Sequence, residues 1–185
     1  TRRNSSLLDL SLFRNVRFVN ALVVSFLFGF GNFATVYSFS IFGQIVQGFS
    51  PTVAGSMLLP GSFFAAAVLP LAGRVSDKVP APMVMIFGLV IIVASVSMLT
   101  GADSNTVFAY VALSLLLGRL GSAFVSPAVN TTAVGALDPQ HMRRGAGVTN
   151  LSLMLGGSTG ISVYVVLLEM RIEFHAVQLG ATQTA

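Results

Sequence analysis

The sequence predicts an all-α integral membrane protein, and three observations support that prediction. Hydrophobic residues make up 54% of the chain, charged residues only 9%, and the mean hydropathy is +0.84, far above the usual composition of a soluble domain. Uncharged stretches recur that match the roughly 20 residues a helix needs to cross a hydrocarbon core of about 30 Å. Within them apolar residues form continuous blocks, whereas the strands of a membrane barrel would alternate apolar and polar residues.

Three helices are predicted in the first part of the chain. The first covers about residues 18–42 and the second about residues 53–72. The connection between them is rich in Gly, Ser and Pro, which is typical of a short turn. The third helix, at about residues 83–100, is almost entirely aliphatic. We therefore expect it to face lipid.

Two further helices are predicted, at about residues 106–133 and 145–168. Pro127 lies inside the fourth helix and predicts a kink, whose freed backbone groups neighbouring helices can satisfy. The five helices form a bundle over residues 18–168, which two segments flank: a cytoplasmic and interfacial lead-in, residues 1–17, and an extracytoplasmic tail, residues 169–185. Five spans place the two ends of the chain on opposite faces, and the chain starts with Thr1, so we interpret it as a piece of a longer protein.

The basic residues predict the orientation, because short cytoplasmic loops collect Lys and Arg. Eight of the ten basic residues fall on one side of the predicted bundle: Arg2, Arg3, Arg14, Arg17, Arg74, Lys78, Arg143 and Arg144. That side is expected to be the cytoplasm, in a multi-pass protein of the cytoplasmic (inner) membrane with lipid as its immediate partner. The net charge of +4 is then a topology signal, and no nucleic-acid partner is expected.

Enzymatic and metal chemistry are not expected. The chain contains no cysteine, which excludes disulfides and thiolate ligands. His141 and His175 stand on opposite predicted faces, so neither a metal site nor a cofactor is expected. A membrane enzyme would require a cluster of reactive side chains, and neither Asp138 with His141 nor Glu169 and Glu173 with His175 has a third partner at useful spacing.

The stretch GRVSDKVP, residues 73–80, is predicted to form a tight cytoplasmic turn between the second and third helices. Gly73 would let a helix approach closely, Asp77 could accept hydrogen bonds from a helix N-terminus, and Arg74 and Lys78 could contact lipid headgroups. Ordinary topology-setting charges are the alternative. The stretch resembles the Gly-x-Leu-x-Asp-Arg core of the loop signature of the major facilitator superfamily, which implies a gating role for these four residues.

Four other stretches are similar to the fourteen-helix drug:proton antiporters of the EmrB/QacA type in that superfamily: LLDLSLFRNVRFVNAL, GFSPTVAGSMLLPGS, GRLGSAFVSPAVNTTAVGAL and RRGAGVTNLSLMLGGSTGIS. The resemblance implies that the N-terminal half and the last helix of a transporter are missing from this chain. It also implies efflux of lipophilic or cationic drug-like compounds by proton antiport, through alternating access. Small lipophilic substrates and protons would be the partners. A small multipass membrane scaffold or assembly subunit without transport of its own is the alternative.

Polar residues in the first, fourth and fifth helices suggest where a substrate cavity lies, because polar groups in hydrocarbon must line a cavity or bond another helix. The candidates are Asn32, Tyr37, Asn130, Asn150 and Met154. For the three asparagines, hydrogen bonding between helices is an equal alternative. No acidic residue lies in the five predicted helices, so the proton-coupling carboxylate is expected outside them.

Arg119 is the one charge predicted inside the membrane, either paired with a carboxylate of the missing half or extended toward a water-filled cavity. The resemblance also implies that the start of the fifth helix, with Arg143 and Arg144, and its glycines Gly156 and Gly160 lie at the interface between the two halves. For the arginines the alternative is a role in topology, and for the glycines it is a notch for helix packing.

Overall fold

The computed structural model describes residues 10–46, 48–56, 58–101 and 108–183, and every regular element in these ranges is helical. A short 3-10 helix, Leu10–Arg14, precedes α1, and a π-helical turn, Phe42–Val46, follows it. The α-helices are α1 (Val16–Ile41), α2 (Pro51–Ser56), α3 (Leu58–Lys78), α4 (Ala81–Thr100), α5 (Phe108–Gly135) and α6 (Met142–Gln183).

Five stretches are long and apolar enough to cross a membrane: Val16–Ile45, Pro51–Ser76, Ala81–Met98, Ala109–Gly135 and Met142–His175. This confirms the predicted all-α membrane fold with five spans. The second predicted helix corresponds to α2 and α3 together. The expected first residues of the fourth helix lie outside the described residues.

Helix α5 organises the bundle, because α3 and α4 both pack along it and α1 and α6 also contact it. The contacts show that α1 and α6 run in the same direction, since Phe26 meets Gly156 and Phe30 meets Gly160. Helix α4 runs antiparallel to α5, because its early Gly88 meets the later part of α5.

Helices α1 and α6 touch through their backbones. A Cβ added at any of three buried glycines would overlap a backbone carbonyl of the other helix: Gly29 on Leu153, Gly156 on Phe26 and Gly160 on Phe30. Such close approach by small residues is the usual way in which membrane helices gain packing contacts. The face of α6 that carries Gly156 and Gly160 is therefore covered by α1, in agreement with the packing interpretation of these glycines.

Helix α4 packs on α5 with one face only. Ser95 and Ser114 are buried and bond each other's helix reciprocally: Ser95 Oγ donates to the Ser114 carbonyl at 2.6 Å, and Ser114 Oγ donates to the Ser95 carbonyl at 2.8 Å. Exposed apolar side chains cover other positions of α4, among them Met83, Ile86, Val90 and Val93. The lipid-facing position expected for this helix agrees with that pattern.

At one end of the bundle, the start of α1 contacts the turn between α5 and α6. We call it the basic end because Arg14, Arg17, Arg143 and Arg144 lie there. Asn15 caps α1 by accepting from the backbone N–H of Arg17 at 3.0 Å, and its Nδ2 donates to the Ala136 carbonyl at 2.6 Å. Leu12 and Phe18 are buried beside that turn. The lead-in is thus anchored on the bundle from Leu12 onward.

The stretch GRVSDK is not the loop that the sequence predicts. Helix α3 continues through Lys78, so Gly73, Arg74, Asp77 and Lys78 occupy its last two turns. The helix ends at Lys78, two residues before Pro80, which has no N–H and disfavours a helical conformation in the residue before it. The predicted turn is therefore reduced to the two residues between α3 and α4.

The segment after residue 168, expected to be a tail, is helical as far as Gln183. It contains mostly good helix formers such as Glu, Met, Arg and Ala and has no proline, so nothing in its sequence ends the helix early. Glu169, Arg171 and Glu173 are exposed along it.

Candidate functional site

An open groove with a volume of about 300 Å³ lies among α1, α3 and α5, with one wall from α6. We call it the Arg119 groove. Its polar lining consists of Asn32, Arg119, Ser122 and Ser126. Its apolar lining consists of Phe28, Phe33, Ala65, Ala66, Leu69, Ala123 and Leu153. A mostly apolar concavity with a few convergent polar groups is the usual form of a small-molecule site.

Asn32 and Ser122 link α1 to α5 at the wall of this groove. The Ser122 hydroxyl lies 2.7 Å from Asn32 Oδ1 and 2.9 Å from the Gly118 carbonyl, so its single proton alternates between two acceptors. The amide nitrogen of Asn32 has no hydrogen-bond partner among the described residues. Asn32 therefore makes an interhelical bond and also retains two free donors for a ligand.

Arg119 is held between α5 and α3. A Cβ added at Gly61 would lie 3.1 Å from Arg119 Cγ, so this glycine makes room for the arginine stem. The guanidinium Nη2 donates to Ser62 Oγ at 3.4 Å, while the buried Nε has no partner in the described part of the chain. No acidic side chain contributes to the described lining of the groove.

The predicted cavity residues do not all meet. Asn130 and Asn150 border a separate void of about 10 Å³, which shares Phe28, Ser126 and Leu153 with the Arg119 groove. Asn130 Nδ2 donates to the Ser126 carbonyl of its own helix at 3.1 Å. Met154 is 58% exposed, and its neighbour Leu153 lines the groove in its place.

Tyr37 lies away from the groove. Its ring meets the ring of Tyr164 edge to face, with centroids 6.0 Å apart. Tyr164 also bonds Ser38, with 2.8 Å between their hydroxyl oxygens. Ser38 and Tyr164 border a mainly apolar depression of about 440 Å³, near the end of the bundle opposite the basic end.

Sequence reasoning missed the contribution of α3. Ala65, Ala66 and Leu69 supply one side of the Arg119 groove, and Gly61 and Ser62 contact Arg119 itself. Gly61, Ala65 and Leu69 recur every four residues, the spacing of one helix face. The small residues Gly61 and Ala65 on this face could have indicated a packed wall, but no pattern in the sequence pairs Ser62 with Arg119.

The predicted gating residues and the two predicted interface arginines lie at the basic end. Arg74 and Lys78 are exposed on α3, and a Cβ added at Gly73 would meet nothing within 4 Å. Arg143 and Arg144 are exposed in the first turn of α6. The close helix approach expected at Gly73 therefore has no counterpart in the described residues, and contact with another half of a transporter remains a prediction.

No group of three or more potential metal ligands occurs among the residues that the structure describes. The sequence profile described as Major Facilitator Superfamily matches residues 2–161.

Three relatives illustrate the similarity. The Methylenomycin A resistance protein of Streptomyces coelicolor is 29% identical over 162 residues, which cover 85% of this chain and 33% of the relative. The Multidrug resistance protein Stp of Mycobacterium tuberculosis is 26% identical over 88% of this chain and 30% of its own length. The Tetracycline resistance determinant of Streptomyces rimosus is 27% identical over 88% of this chain and 47% of its own length. The chain thus spans between 30% and 47% of the length of these relatives.

Proposed function

Because the chain belongs to the Major Facilitator Superfamily, we propose that it forms part of a multidrug transporter that exports lipophilic drug-like compounds. Export would proceed by proton antiport through alternating access, in the cytoplasmic membrane. The names of the relatives support drug export, since three of them are described by resistance to methylenomycin A, to multiple drugs or to tetracycline. The five spans would then belong to the C-terminal part of a transporter of the fourteen-helix drug:proton antiporter type.

The Arg119 groove is the observation that carries this proposal. Apolar side chains from four helices form most of its lining, and Asn32 and Ser122 add polar groups at one wall. Such a surface binds the apolar body of a drug by burial and orients it through few hydrogen bonds. Its volume of about 300 Å³ is at the lower end of known ligand sites, which is expected where the rest of the protein supplies another wall.

The lipophilic part of the proposed substrate has stronger support than the cationic part. Phe28 and Phe33 offer aromatic rings that attract cations when the geometry is suitable. Arg119 borders the same groove and repels a cation at short range. The proposed substrates are therefore lipophilic compounds. Competition with a cationic dye tests whether cations are exported by the same route.

Proton coupling would depend on a carboxylate from outside this bundle. Antiport requires a titratable group near the middle of the membrane, and no Asp or Glu occurs in the spans Val16–Ile45, Pro51–Ser76, Ala81–Met98 and Ala109–Gly135. The fifth span, Met142–His175, does contain Glu169 and Glu173, but both lie near its end and not near its middle. The coupling residue is thus proposed to lie in the N-terminal half.

The test is efflux of the neutral dye Nile red from cells that express the complete protein, measured with and without an uncoupler. Proton antiport predicts faster efflux than in cells with an empty vector, and loss of that difference when the uncoupler collapses the gradient. A scaffold without transport predicts no difference between the two strains in either condition. Addition of a cationic dye as competitor shows whether cations use the same route.

A further inference from the structure

Resting on the export function proposed above, we infer that the Arg119 groove binds amphipathic anions, compounds with an apolar body and one carboxylate or similar acidic group. The guanidinium of Arg119 would bind the acidic group, and the apolar walls of α1, α3 and α6 would bind the body. This assigns a substrate class and a binding residue to the groove.

The depth of Arg119 is the first argument. At a rise of 1.5 Å per residue, Arg119 lies roughly 17 Å from the start of α5 and roughly 24 Å from its end. An arginine stem cannot reach a headgroup region from that depth. The side chain instead points toward α3, where Nη2 meets Ser62 at 3.4 Å. A permanently charged guanidinium therefore lies inside the bundle.

The hydrogen bonds of the guanidinium are the second argument. It carries five N–H donors, and the described residues supply a single long bond, from Nη2 to Ser62. The Nε donor is buried and has no partner in that part of the chain, so a ligand in the groove would bind through the terminal Nη donors. An uncompensated charge with unpaired donors is costly in a membrane interior, so an anion that pairs with the guanidinium would stabilise the site.

The position of the guanidinium is the third argument, because a glycine on α3 makes room for the arginine stem. Gly61 has no Cβ at the point where the stem of Arg119 crosses α3. The stem passes close to α3 there, and from that position the fork-shaped guanidinium would bind a planar carboxylate through two parallel hydrogen bonds.

The walls around the guanidinium complete the site. Phe28, Phe33, Leu69 and Leu153 line the same groove as Arg119, and none of them offers a polar side chain. An inorganic anion would leave these walls uncovered, whereas an amphipathic acid would satisfy both the charge and the apolar surface. A carboxylate from the remaining part of the protein would pair with Arg119 in the same way as the acidic group of a substrate. The experiment distinguishes these two partners.

The experiment compares three fluorescent probes with one apolar body: pyrenebutyrate, pyrenebutanamide and pyrenebutylamine. Their affinities for the complete protein in nanodiscs are measured by fluorescence polarisation. The wild type should bind the carboxylate at least about tenfold more tightly than the amide, as expected for charge-assisted hydrogen bonds. The amine should bind more weakly than the amide because Arg119 repels it.

Variants assign the preference to Arg119. Arg119→Gln should bring the affinities for carboxylate and amide to within about twofold, while Arg171→Gln, the same change at an exposed position of α6, should retain the preference. Gly61→Ala keeps every charge and moves only the arginine stem, so it should reduce the preference several-fold even if Arg119→Gln fails to fold. Gly55→Ala is its control, since a Cβ there meets nothing within 4 Å.

Three results would overturn the inference: equal affinity of the wild type for carboxylate and amide, tighter binding of the amine, or a preference unchanged by both Arg119→Gln and Gly61→Ala. The first is the result expected if a carboxylate of the protein already occupies Arg119. Failure of the anion-binding inference is distinct from failure of the proposed export function, because Nile red efflux can persist without any preference for acids. Conversely, a preference for acids without efflux would reject export and keep the binding site.

Discussion

Replacement of Gly29 by alanine tests the contact on which the shape of the bundle depends. The added Cβ would lie 3.0 Å from the carbonyl carbon of Leu153 and 3.2 Å from its Cα, and would overlap its oxygen. Carbon atoms pack best at about 3.5–4.0 Å, so α1 and α6 must separate by roughly 0.5 Å or more. A backbone neighbour cannot rotate away, unlike a side chain, so the whole helix has to move.

The expected loss of stability follows from a comparison of Gly29→Ala with Gly31→Ala. A Cβ added at Gly31, two residues along the same helix, meets nothing within 4 Å. Both substitutions gain the same helix propensity, about 0.8–1.0 kcal/mol in soluble hosts, and only Gly29→Ala also adds overpacking, about 1–3 kcal/mol. The difference in stability between the two variants therefore equals the packing cost, about 1–3 kcal/mol.

Thermal unfolding of the complete protein in detergent measures this difference. Gly29→Ala should unfold at a lower temperature than Gly31→Ala, and Gly156→Ala and Gly160→Ala should behave like Gly29→Ala. Equal unfolding temperatures for Gly29→Ala and Gly31→Ala would refute the direct contact of α1 with α6. Since Phe33 and Leu153 on these two helices line the Arg119 groove, the destabilised variants should also bind the pyrene probes more weakly.

Three further predictions concern the orientation of the bundle and the charged residues at its basic end. This chain has no cysteine, so single cysteines in it report topology once any cysteines elsewhere in the complete protein are replaced. Those at positions 77 and 143 should react with impermeant reagents from the cytoplasm and one at position 173 from outside; reversal at two sites would reject the orientation. Asp77→Asn should lower efflux several-fold at unchanged membrane abundance. A contact with a helix dipole contributes about 0.3–1 kcal/mol, or up to about 2 kcal/mol when partly buried. Wild-type efflux rates would indicate that the charges of this stretch only set topology. Of Arg143→Gln and Arg144→Gln, one should reduce efflux with unchanged topology if this helix start contacts the other half, whereas two silent variants would support the topology interpretation.

The existence of the five spans could be predicted from the sequence because hydropathy measures the cost of placing each residue in hydrocarbon. Helix ends were less predictable. The sequence did not indicate that α3 extends through Lys78, since charged residues suggested a loop although they also form helices well. The proline at position 80 was the better indicator of where the helix stops.

The partners of each helix were the least predictable feature. In a membrane, a surface that faces lipid and a surface that packs on a helix are both apolar, so hydropathy cannot distinguish them. Small and hydroxyl residues hold that information. Gly88 and Ser95 are seven residues apart, two turns along one face of α4, and both contact α5. The bond from Arg119 to Ser62 joins residues far apart in sequence, which no local pattern predicts.

The central claim, proton-coupled export of a lipophilic compound, is tested most directly in proteoliposomes that contain the purified complete protein. A pH difference is imposed across the membrane, and movement of Nile red is followed together with the internal pH. Proton antiport predicts dye movement opposite to the proton flux, reversed when the gradient is reversed and abolished by a protonophore. Dye movement that continues at the same rate without a proton gradient, or a gradient that moves no dye, would contradict it.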